Sequence, residues 1–327
     1  MASSSDCYLP VYWSTAITSN TIHAGFYHYP GGGVQGDTSM TEDSASQSFF
    51  DNSATYDRAV NRWLPVASGA VSPNGLRFAF ADYDLPTTPV AGSGTLTSTG
   101  RVHVVDARTG ADQVVFSGSP TFSVVAFTSR GLYLSQVALT KGGASASGLF
   151  VLDPGGGTPR PVAGADRTLD QNGWQVYGPN AWGVDFASGG GHISGNRVLS
   201  LDLETGEVRV WKTWAQDVLA VVLGLDAQND PIVGAFASSS AGAATRSGMN
   251  GLQVWTFTSP DVGTLVYLTN DPIATLPGRP AFSDTHAAWL GGNSPPSSVW
   301  RLASEHMTRV PVPVAGSGWV SLAGPCL

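Results

Sequence analysis

A short hairpin pattern that recurs five times constrains the fold of this chain more than any other feature. Its first copy, at residues 71–78, reads VSPNGLRF, with a β-rich run on either side of a polar turn. The other turns follow at intervals of 56, 50, 48 and 56 residues, so the five are centred on Pro73, Ser129, Pro179, Ala227 and Ser283. Each turn contains the Gly, Pro, Asn or Asp residues that tight chain reversals require. A period of about 50 residues predicts a repeat architecture.

A second hairpin follows the first in each repeat. It is clearest at residues 102–115, 149–157 and 198–210, where the end of one strand is marked by Asp106, Asp153 and Asp202. An aspartate in this place is expected to cap the following turn through its side-chain oxygen. Two hairpins give four strands, and a four-stranded sheet of about 50 residues is the size of a propeller blade.

The repeats therefore predict an all-β fold, a six-bladed β-propeller with four antiparallel strands per blade, in one domain spanning residues 1–327. Five blades are predicted at about 67–118, 119–167, 172–214, 215–271 and 273–316. The sixth combines residues 317–327 with residues 7–66, through strand candidates at 319–322, 8–13, 22–29 and 56–66. Pairing of the N- and C-terminal strands in this last blade is a velcro closure, which removes exposed sheet edges from the ring.

Cys7 and Cys326 are the only cysteines and lie at opposite ends of the chain. In the predicted sixth blade they flank the position of the first turn, so we expect a disulfide, which requires an oxidising compartment. The alternative is two free thiols in a protein that stays inside the cell. Residues 1–5 lack the basic and apolar regions of a signal peptide. Our expectation of a secreted, periplasmic or cell-surface protein therefore includes a leader that has been removed.

Residues 72–80, SPNGLRFAF, resemble the TolB-type propeller repeat, a bacterial relative of the WD40 repeat whose signature runs roughly Ser-Pro-Asp-Gly-x-x-Ile-Ala-Phe. Residues 282–289 resemble it more loosely. The resemblance implies a disc-shaped scaffold, often secreted or periplasmic, that serves as a binding module or an accessory domain. Because the signature is structural, the resemblance transfers no catalytic residue to this chain.

Charge and motif content exclude several functions. The net charge is −8 and the only lysines are Lys141 and Lys212, so the sequence offers no basic surface for nucleic acid or anionic lipid. The longest apolar run, residues 218–225, is too short for a transmembrane helix. The G-x-S-x-G, H-E-x-x-H, Walker A and EF-hand patterns are absent from the sequence. Residues 31–36 fit G-x-G-x-x-G, but no helical pattern follows them, so we predict a flexible loop.

Binding residues are predicted on one face of the disc, the long-loop face. There, long loops join the second and third strands at residues 82–100, 138–148, 187–196, 237–251 and 291–297. Long loops on a rigid scaffold commonly carry function. With the loops that enter the innermost strands, they predict an acidic, aromatic-lined mouth of the central channel, formed by Asp82, Asp84, Asp170, Asn172, Trp174, Trp214, Asp217, Asn270 and Asp271. The alternative is that each Asp caps its own turn and each Trp packs between blades.

Three functions are consistent with these features. The first is a monomeric, non-enzymatic binding module that takes a protein or glycan ligand on the long-loop face, with no catalytic residue assigned. The second is a Ca²⁺-dependent hydrolase or lyase, similar in architecture to six-bladed lactonase-like propellers, whose candidate oxygen ligands are Asp170, Asn172, Asp217, Asn270 and Asp271. The third is a structural subunit of a cell-envelope complex. Ca²⁺ is the only cofactor that any of the three requires.

Overall fold

A computed structural model describes residues 6–14, 21–41, 53–84, 95–96, 99–140, 143–170, 172–186, 195–237, 251–269, 277–284, 287–292, 297–314 and 319–327. Within these residues the chain is all-β, and its one helical element is a 3₁₀ turn at Ser68–Ala70. No helix in this part of the chain is long and apolar enough to cross a membrane. The predicted all-β class is therefore confirmed.

The strands are short and follow one another closely along the chain. In order they are β1 (Cys7–Trp13), β2 (Thr21–Tyr29), β3 (Val34–Thr41), β4 (Thr55–Asp57), β5 (Arg62–Leu64), β6 (Arg77–Tyr83), β7 (Thr95–Leu96), β8 (Gly100–Asp106), β9 (Asp112–Gly118), β10 (Thr121–Thr128), β11 (Gly131–Thr140), β12 (Gly143–Leu152), β13 (Arg160–Pro161), β14 (Gln175–Tyr177), β15 (Asn180–Asp185), β16 (Arg197–Asp202), β17 (Val208–Thr213), β18 (Val218–Leu225), β19 (Pro231–Ala237), β20 (Leu252–Ser259), β21 (Val262–Thr269), β22 (Pro277–Ser283), β23 (Ala288–Gly292), β24 (Ser298–Ala303), β25 (His306–Pro311) and β26 (Val320–Leu322).

Most strands form antiparallel sheets built from consecutive hairpins. Sheet 1 contains β6, β8 and β9; sheet 2 contains β10 to β13, with β7 also paired to β11; sheet 3 contains β14 to β17; sheet 4 contains β18 to β21; and sheet 5 contains β22 to β25. Sheet 6 contains β26 and β1 to β3, and it is linked to sheet 5 by the pairing of Gly292 with Val320. Four-stranded antiparallel sheets in this serial order make the fold propeller-like.

The buried core lies between the sheets, and each of its main clusters joins two sheets that are consecutive in the chain. Strand β16 illustrates the reason, because successive side chains of a strand point to opposite faces. Val198 packs with residues of sheet 4, whereas Leu199 and Leu201 pack with residues of sheet 2. Equivalent clusters join sheets 1 and 2, sheets 4 and 5, and sheets 5 and 6. The sheets therefore stack face to face in sequence order.

The β4–β5 hairpin occupies the space between sheet 6 and sheet 1. Tyr56 and Trp63 contact Phe26 of β2, with ring centroids 4.8 and 5.5 Å apart. Leu64 belongs to the same buried cluster as Phe78 of β6. The two strands pair only with each other among the described residues. The prediction that residues 56–66 form the outer strand of the sixth blade is therefore wrong, and β3 takes that place.

A tight glycine turn connects β2 to β3, a strand that is not predicted from the sequence. Gly32 and Gly33 have φ values of 76° and 99°, a region that glycine enters without steric penalty, and the Gly32 N–H donates to His28 O at 2.8 Å. The chain therefore reverses directly after β2, and the predicted loop at residues 31–36 is a hairpin turn followed by the first residues of β3. The sequence of β3, VQGDTSMT, has no alternation of apolar residues that would predict a strand.

The two ends of the chain lie side by side in sheet 6. Strand β1 pairs with β26 through three residue pairs, from Val11 opposite Leu322 to Trp13 opposite Val320. The contact continues past β26, because the Leu327 N–H donates to Tyr8 O at 3.1 Å. Cys7 and Cys326 form a disulfide with a Cα–Cα distance of 5.5 Å.

Two of the predicted aspartate caps have the same geometry. Asp106 Oδ1 accepts hydrogen bonds from the backbone N–H groups of Arg108 and Thr109, at 3.0 and 2.7 Å. Asp202 Oδ1 accepts the equivalent bonds from residues 204 and 205, both at 2.8 Å. Donors around a charged carboxylate favour the charged form, and they lower the pKa of both aspartates below the ordinary value.

These caps predict a loss of stability in acid. Because the folded-state pKa values are depressed, the stabilisation is complete above the unfolded pKa of about 3.9 and is lost as the pH falls through the folded pKa. The variant Asp106→Asn/Asp202→Asn keeps the acceptor oxygens without the charge. Its Tm should therefore fall less than the wild-type Tm when the pH is lowered from about 5 to about 2.5. Circular dichroism melts measure the Tm at each pH. The control is Asp166→Asn, at an exposed aspartate outside these turns. An equal fall in Tm in the wild type, the double variant and the control contradicts the prediction.

The disulfide predicts a large stabilisation. It closes a loop of 319 residues, and the chain-entropy treatment gives a stabilisation of up to about 5–6 kcal/mol for a loop of this length. We expect Cys7→Ser and Cys326→Ser to lower the denaturant midpoint equally, and the double variant to match the single ones. Guanidinium unfolding under oxidising and reducing conditions provides the measurement. A wild-type midpoint that does not move on reduction is the contrary result.

Candidate functional site

A cavity lies where the five repeat turns at the beginning of sheets 1 to 5 converge. Its volume is about 630 Å³, within the range typical of small-molecule sites. We call it the hub cavity, and its wall is formed by Ser68, Gly69, Val71, Pro73, Ala126, Phe127, Thr128, Ser129, Arg130, Tyr133, Val176, Tyr177, Gly178, Pro179, Leu225, Asp226, Asn229, Ala281 and Ser283. Four of the five repeat-turn anchors in the sequence, all except Ala227, are in this wall.

The hub cavity opens on the face opposite the predicted mouth. Strands alternate in direction, so the turn after the first strand of a sheet and the loop after the second lie at opposite ends of that sheet. The wall contains turns of the first kind, and we call this end the short-turn face. The turns are tight because left-handed residues occur in them, at Gly75, Gly178 and Asn229, with φ values of 70°, 59° and 67°.

The wall of the hub cavity is apolar and its rim is polar. Phe127 and Tyr133 are buried, and Val71, Val176 and Leu225 complete the apolar part. Burial raises the pKa of the Tyr133 hydroxyl, while the charge and hydrogen bond of Arg130 act in the opposite direction.

Charged groups at the rim are held by neighbours within the protein. The Arg130 guanidinium donates to Glu204 at 2.8 Å, which raises the arginine's pKa and joins sheet 2 to sheet 3. Asp226 Oδ1 accepts the backbone N–H groups of Gln228 and Asp230, both at 2.9 Å. Burial, with a smaller contribution from Asp226, raises the pKa of Asp230. The described wall contains no histidine, cysteine or pair of carboxylates.

At the predicted mouth, Asp82 and Asp84 both pair with one arginine. Arg101 Nε lies 2.8 Å from Asp82 Oδ1, and Arg101 Nη2 lies 3.0 Å from Asp84 Oδ1. His103 stands behind them, with Nδ1 2.9 Å from Asp112 and Nε2 3.5 Å from Asp82. This part of the long-loop face is therefore an internally paired charge network rather than an open acidic surface.

Asp170, Asn172 and Trp174 have structural roles, in line with the alternative in which each Asp caps its own turn and each Trp packs in the core. Asp170 is 4% exposed and accepts hydrogen bonds from both the backbone and the side-chain amide of Asn172, at 3.0 and 2.8 Å. Trp174 is 1% exposed, and its indole N–H donates to Ala165 O at 3.1 Å. This indole packs the core between sheets 2 and 3, so it is not available to a ligand as predicted.

Of the remaining predicted residues, the structure describes Trp214 and Asp217. Trp214 is half-buried, with its ring centroid 6.0 Å from that of Phe257, and Asp217 lies just before β18. Asn270 and Asp271 lie outside the described residues. Within the part of the chain that the structure describes, no group of three or more His, Cys, Asp or Glu side chains is placed to hold a metal ion.

A second ion pair of the same design is not among the residues predicted from the sequence. Arg197 donates two hydrogen bonds to Asp185, at 2.6 and 2.7 Å, and Asp185 is buried. In sheets 1 and 3 alike, an aspartate near the end of one strand lies directly opposite an arginine near the start of the next, as Asp82 of β6 opposite Arg101 of β8 and Asp185 of β15 opposite Arg197 of β16. The two pairs are 19 and 12 residues apart in sequence, so no fixed spacing identifies them and only the strand register brings each Asp opposite its Arg.

Comparison with known proteins gives neighbours in shape only. No protein-family model and no curated sequence matches the chain. Solved structures of similar shape include a prolyl endopeptidase (TM-score 0.46, 11% identity, 96% of this chain and 43% of that one), an acylaminoacyl peptidase from Pyrococcus horikoshii (0.47, 10%, 95% and 47%), and an oligogalacturonate lyase in complex with manganese (0.43, 10%, 95% and 76%). The chain spans less than half the length of the two peptidases. The assignment of a site therefore rests on the geometry of this chain.

The buried Asp185–Arg197 pair predicts a strong effect of breaking it. Arg197→Met leaves a carboxylate that is only 8% exposed without its main partner, and we expect a loss of about 2 kcal/mol in the free energy of unfolding. Asp185→Asn/Arg197→Met should recover most of this loss. The control is Arg209→Met at the exposed Glu207–Arg209 pair, which should leave stability unchanged. Urea unfolding measures all three; similar values for Arg197→Met and Arg209→Met contradict the assignment.

Proposed function

We propose that the chain is a closed six-bladed β-propeller of the TolB type, with each of sheets 1 to 6 as one blade. Three observations support this architecture. Consecutive sheets share buried clusters, the β4–β5 hairpin packs between sheet 6 and sheet 1, and β1 pairs with β26. The last pairing provides the velcro closure, and the Cys7–Cys326 disulfide reinforces it. A disulfide also supports a secreted, periplasmic or cell-surface location.

We infer that the protein is a non-enzymatic binding module and that its ligand, a protein segment or a glycan, enters the hub cavity from the short-turn face. The observation that carries this proposal is the cavity itself, of about 630 Å³, whose apolar wall and polar rim are contributed by five sheets. A site built from five sheets is held rigidly, which reduces the entropy lost on binding. The proposal moves the ligand from the long-loop face to the opposite end of the channel.

The hub cavity is better suited to binding than to catalysis. Its titratable groups are engaged in structural hydrogen bonds, such as Asp226 with its own turn and Arg130 with Glu204. General acid–base or nucleophilic catalysis needs a positioned base next to the reacting group. The Ca²⁺-dependent hydrolase or lyase remains the alternative. It requires Asp170 and Asp217 to join Asn270 and Asp271 around an ion on the long-loop face.

Blocking the hub cavity tests the proposal. Ser129 is an exposed residue of the cavity rim, so Ser129→Trp fills the opening without disturbing the core. We expect the variant to lose roughly tenfold or more of the affinity for the apolar fluorophore 8-anilinonaphthalene-1-sulfonate, and for any peptide or oligosaccharide found by array screening. Ser117→Trp, on the exposed outer strand β9, is the matched control and should bind as the wild type does.

The outcomes separate the faces and the functions. A ligand that still binds Ser129→Trp but no longer binds a variant with a shortened 237–251 loop belongs to the long-loop face, which contradicts the hub proposal. Thermal melts with EDTA and with added Ca²⁺ test the alternative. A rise in Tm with Ca²⁺ that is lost in Asp217→Asn favours the metal-dependent enzyme.

A further inference from the structure

Negative charge is concentrated on the sheet 4 side of the hub cavity. Asp226 lines the cavity, and its Oδ1 accepts the backbone N–H of Asp230 at 2.9 Å, so both residues belong to one tight turn. Burial and the charge of Asp226 raise the pKa of Asp230, which means that the charged form of this carboxyl is disfavoured. A cation placed beside the two carboxylates would favour the charged form.

Within the described chain, the protein supplies no cation to this pair of carboxylates. Neither Asp226 nor Asp230 forms an ion pair with a described lysine, arginine or histidine. Arg130, on the sheet 2 side of the wall, donates to Glu204 at 2.8 Å instead. The positive charge of the rim is therefore compensated, whereas the negative charge at sheet 4 is not.

On the opposite face, by contrast, three carboxylates have arginine partners. Arg101 pairs with both Asp82 and Asp84, and Arg197 pairs with Asp185. At the first turn of sheet 4 no described residue takes the part of the arginine, and this turn lies on the wall of a cavity. A ligand that enters the cavity can supply the missing positive charge.

The sheet 2 part of the wall is apolar. Phe127 and Tyr133 are buried there, and the guanidinium of Arg77 lies 5.3 Å from the centroid of the Phe127 ring, whose face stabilises its charge. An apolar side chain gains free energy by packing against such a surface and needs no hydrogen bond to do so. The cavity thus combines an apolar surface with a carboxylate.

Two hydroxyl groups of the wall are used within the protein. Thr128 Oγ1 donates to Gly131 O at 3.2 Å, and Ser283 Oγ donates to Leu225 O at 2.8 Å. A glycan that enters a cavity buries many hydroxyl groups, and each of them needs a hydrogen-bond partner. The wall therefore suits a peptide better than a glycan.

We propose that the ligand of the hub cavity is a peptide segment in which an apolar residue lies close to a lysine or arginine. The apolar side chain packs against Phe127 and Tyr133, and the cationic side chain pairs with Asp226. This inference rests on the proposed binding function of the cavity and names the class of ligand. The net charge of −8 also attracts a cationic segment over longer distances.

Three acetylated and amidated tripeptides test the proposal, because Phe-Gly-Lys, Phe-Gly-Gln and Phe-Gly-Glu differ only in the charge of one side chain. We expect the wild-type protein to bind the lysine peptide roughly tenfold more tightly than the glutamine peptide, and the glutamate peptide most weakly. This preference should shrink when the NaCl concentration rises from about 50 to about 500 mM, since salt screens an ion pair. NMR titrations of the labelled protein measure the three Kd values, with maltohexaose as the glycan probe.

Asp226→Asn assigns the preference to one residue. Asparagine keeps an Oδ1 acceptor for the turn and removes the charge, so the lysine peptide should bind about tenfold more weakly, as the glutamine peptide does. The apolar anion 8-anilinonaphthalene-1-sulfonate should bind this variant at least as well as it binds the wild type, which shows that the cavity is intact. The matched control is Asp153→Asn, at an exposed aspartate that caps its own turn through Gly155 N–H at 2.7 Å and lies outside the wall. It should bind all probes as the wild type does.

The outcomes distinguish this inference from the proposed function. If Ser129→Trp abolishes binding but the wild type does not prefer the lysine peptide, the cavity is a binding site and the inference is overturned. It is also overturned if Asp226→Asn and Asp153→Asn keep the same preference, or if maltohexaose binds in the cavity more tightly than the lysine peptide. If every probe binds Ser129→Trp as well as the wild type, the proposed function and the inference both fail.

Discussion

The pairing of β1 with β26 is the interaction on which the rest of this structure depends. Each sheet has apolar residues on both faces, so it must be covered on both sides, and only a ring of sheets meets that condition without a capping layer. Val11 opposite Leu322 joins residues more than 300 positions apart, and the Cys7–Cys326 disulfide lies beside this pairing. Long-range closure of this kind carries a high entropic cost, which a covalent link reduces by restricting the unfolded chain.

The proposed ring determines where a ligand can bind. In each repeat, a short turn connects the first strand to the second. Five of these turns meet around the hub cavity. Some side chains that line the hub cavity also connect neighbouring sheets. Ser283 Oγ donates to Leu225 O at 2.8 Å and so joins sheet 5 to sheet 4. Among the described residues near the opposite face are the ion pairs Asp82–Arg101 and Asp185–Arg197. The hub cavity therefore differs in chemistry from the described ion pairs of the opposite face.

Much of the fold could be predicted from the sequence because each repeat requires particular residue types at its turns. A turn with a left-handed position requires Gly or Asn there, as at Gly178 and Asn229, so it can be recognised in the sequence wherever it recurs. An aspartate that caps a turn can be recognised in the same way, as at Asp106 and Asp202. Strand β3 could not be recognised in this way, because its polar sequence has no alternation of apolar and polar residues. The β4–β5 hairpin was misplaced for a related reason: Tyr56 and Trp63 have the residue types of a strand, but tertiary contacts with Phe26 decide where they lie.

The candidate site was harder to predict than the fold. The predicted position of the entry loops pointed to Asp170 and Trp174, but burial and hydrogen bonds assign both to the scaffold. A cavity formed by Ser129, Pro179 and Asn229 has no distinctive residue types, and only the three-dimensional convergence of the turns reveals it. The Asp82–Arg101 and Asp185–Arg197 pairs have different sequence separations, 19 and 12 residues, so only the strand register reveals that they are equivalent.

Hydrogen–deuterium exchange of the native protein tests the closure of the ring most directly. If the chain ends share one sheet, the backbone amides of β1 and β26 should exchange as slowly as those of β11 and β19 in the middle of the chain, because opening either end requires opening the ring. Fast exchange in β1 and β26 while β11 and β19 stay protected would show that the ends are frayed, and it would contradict a ring closed by strand pairing.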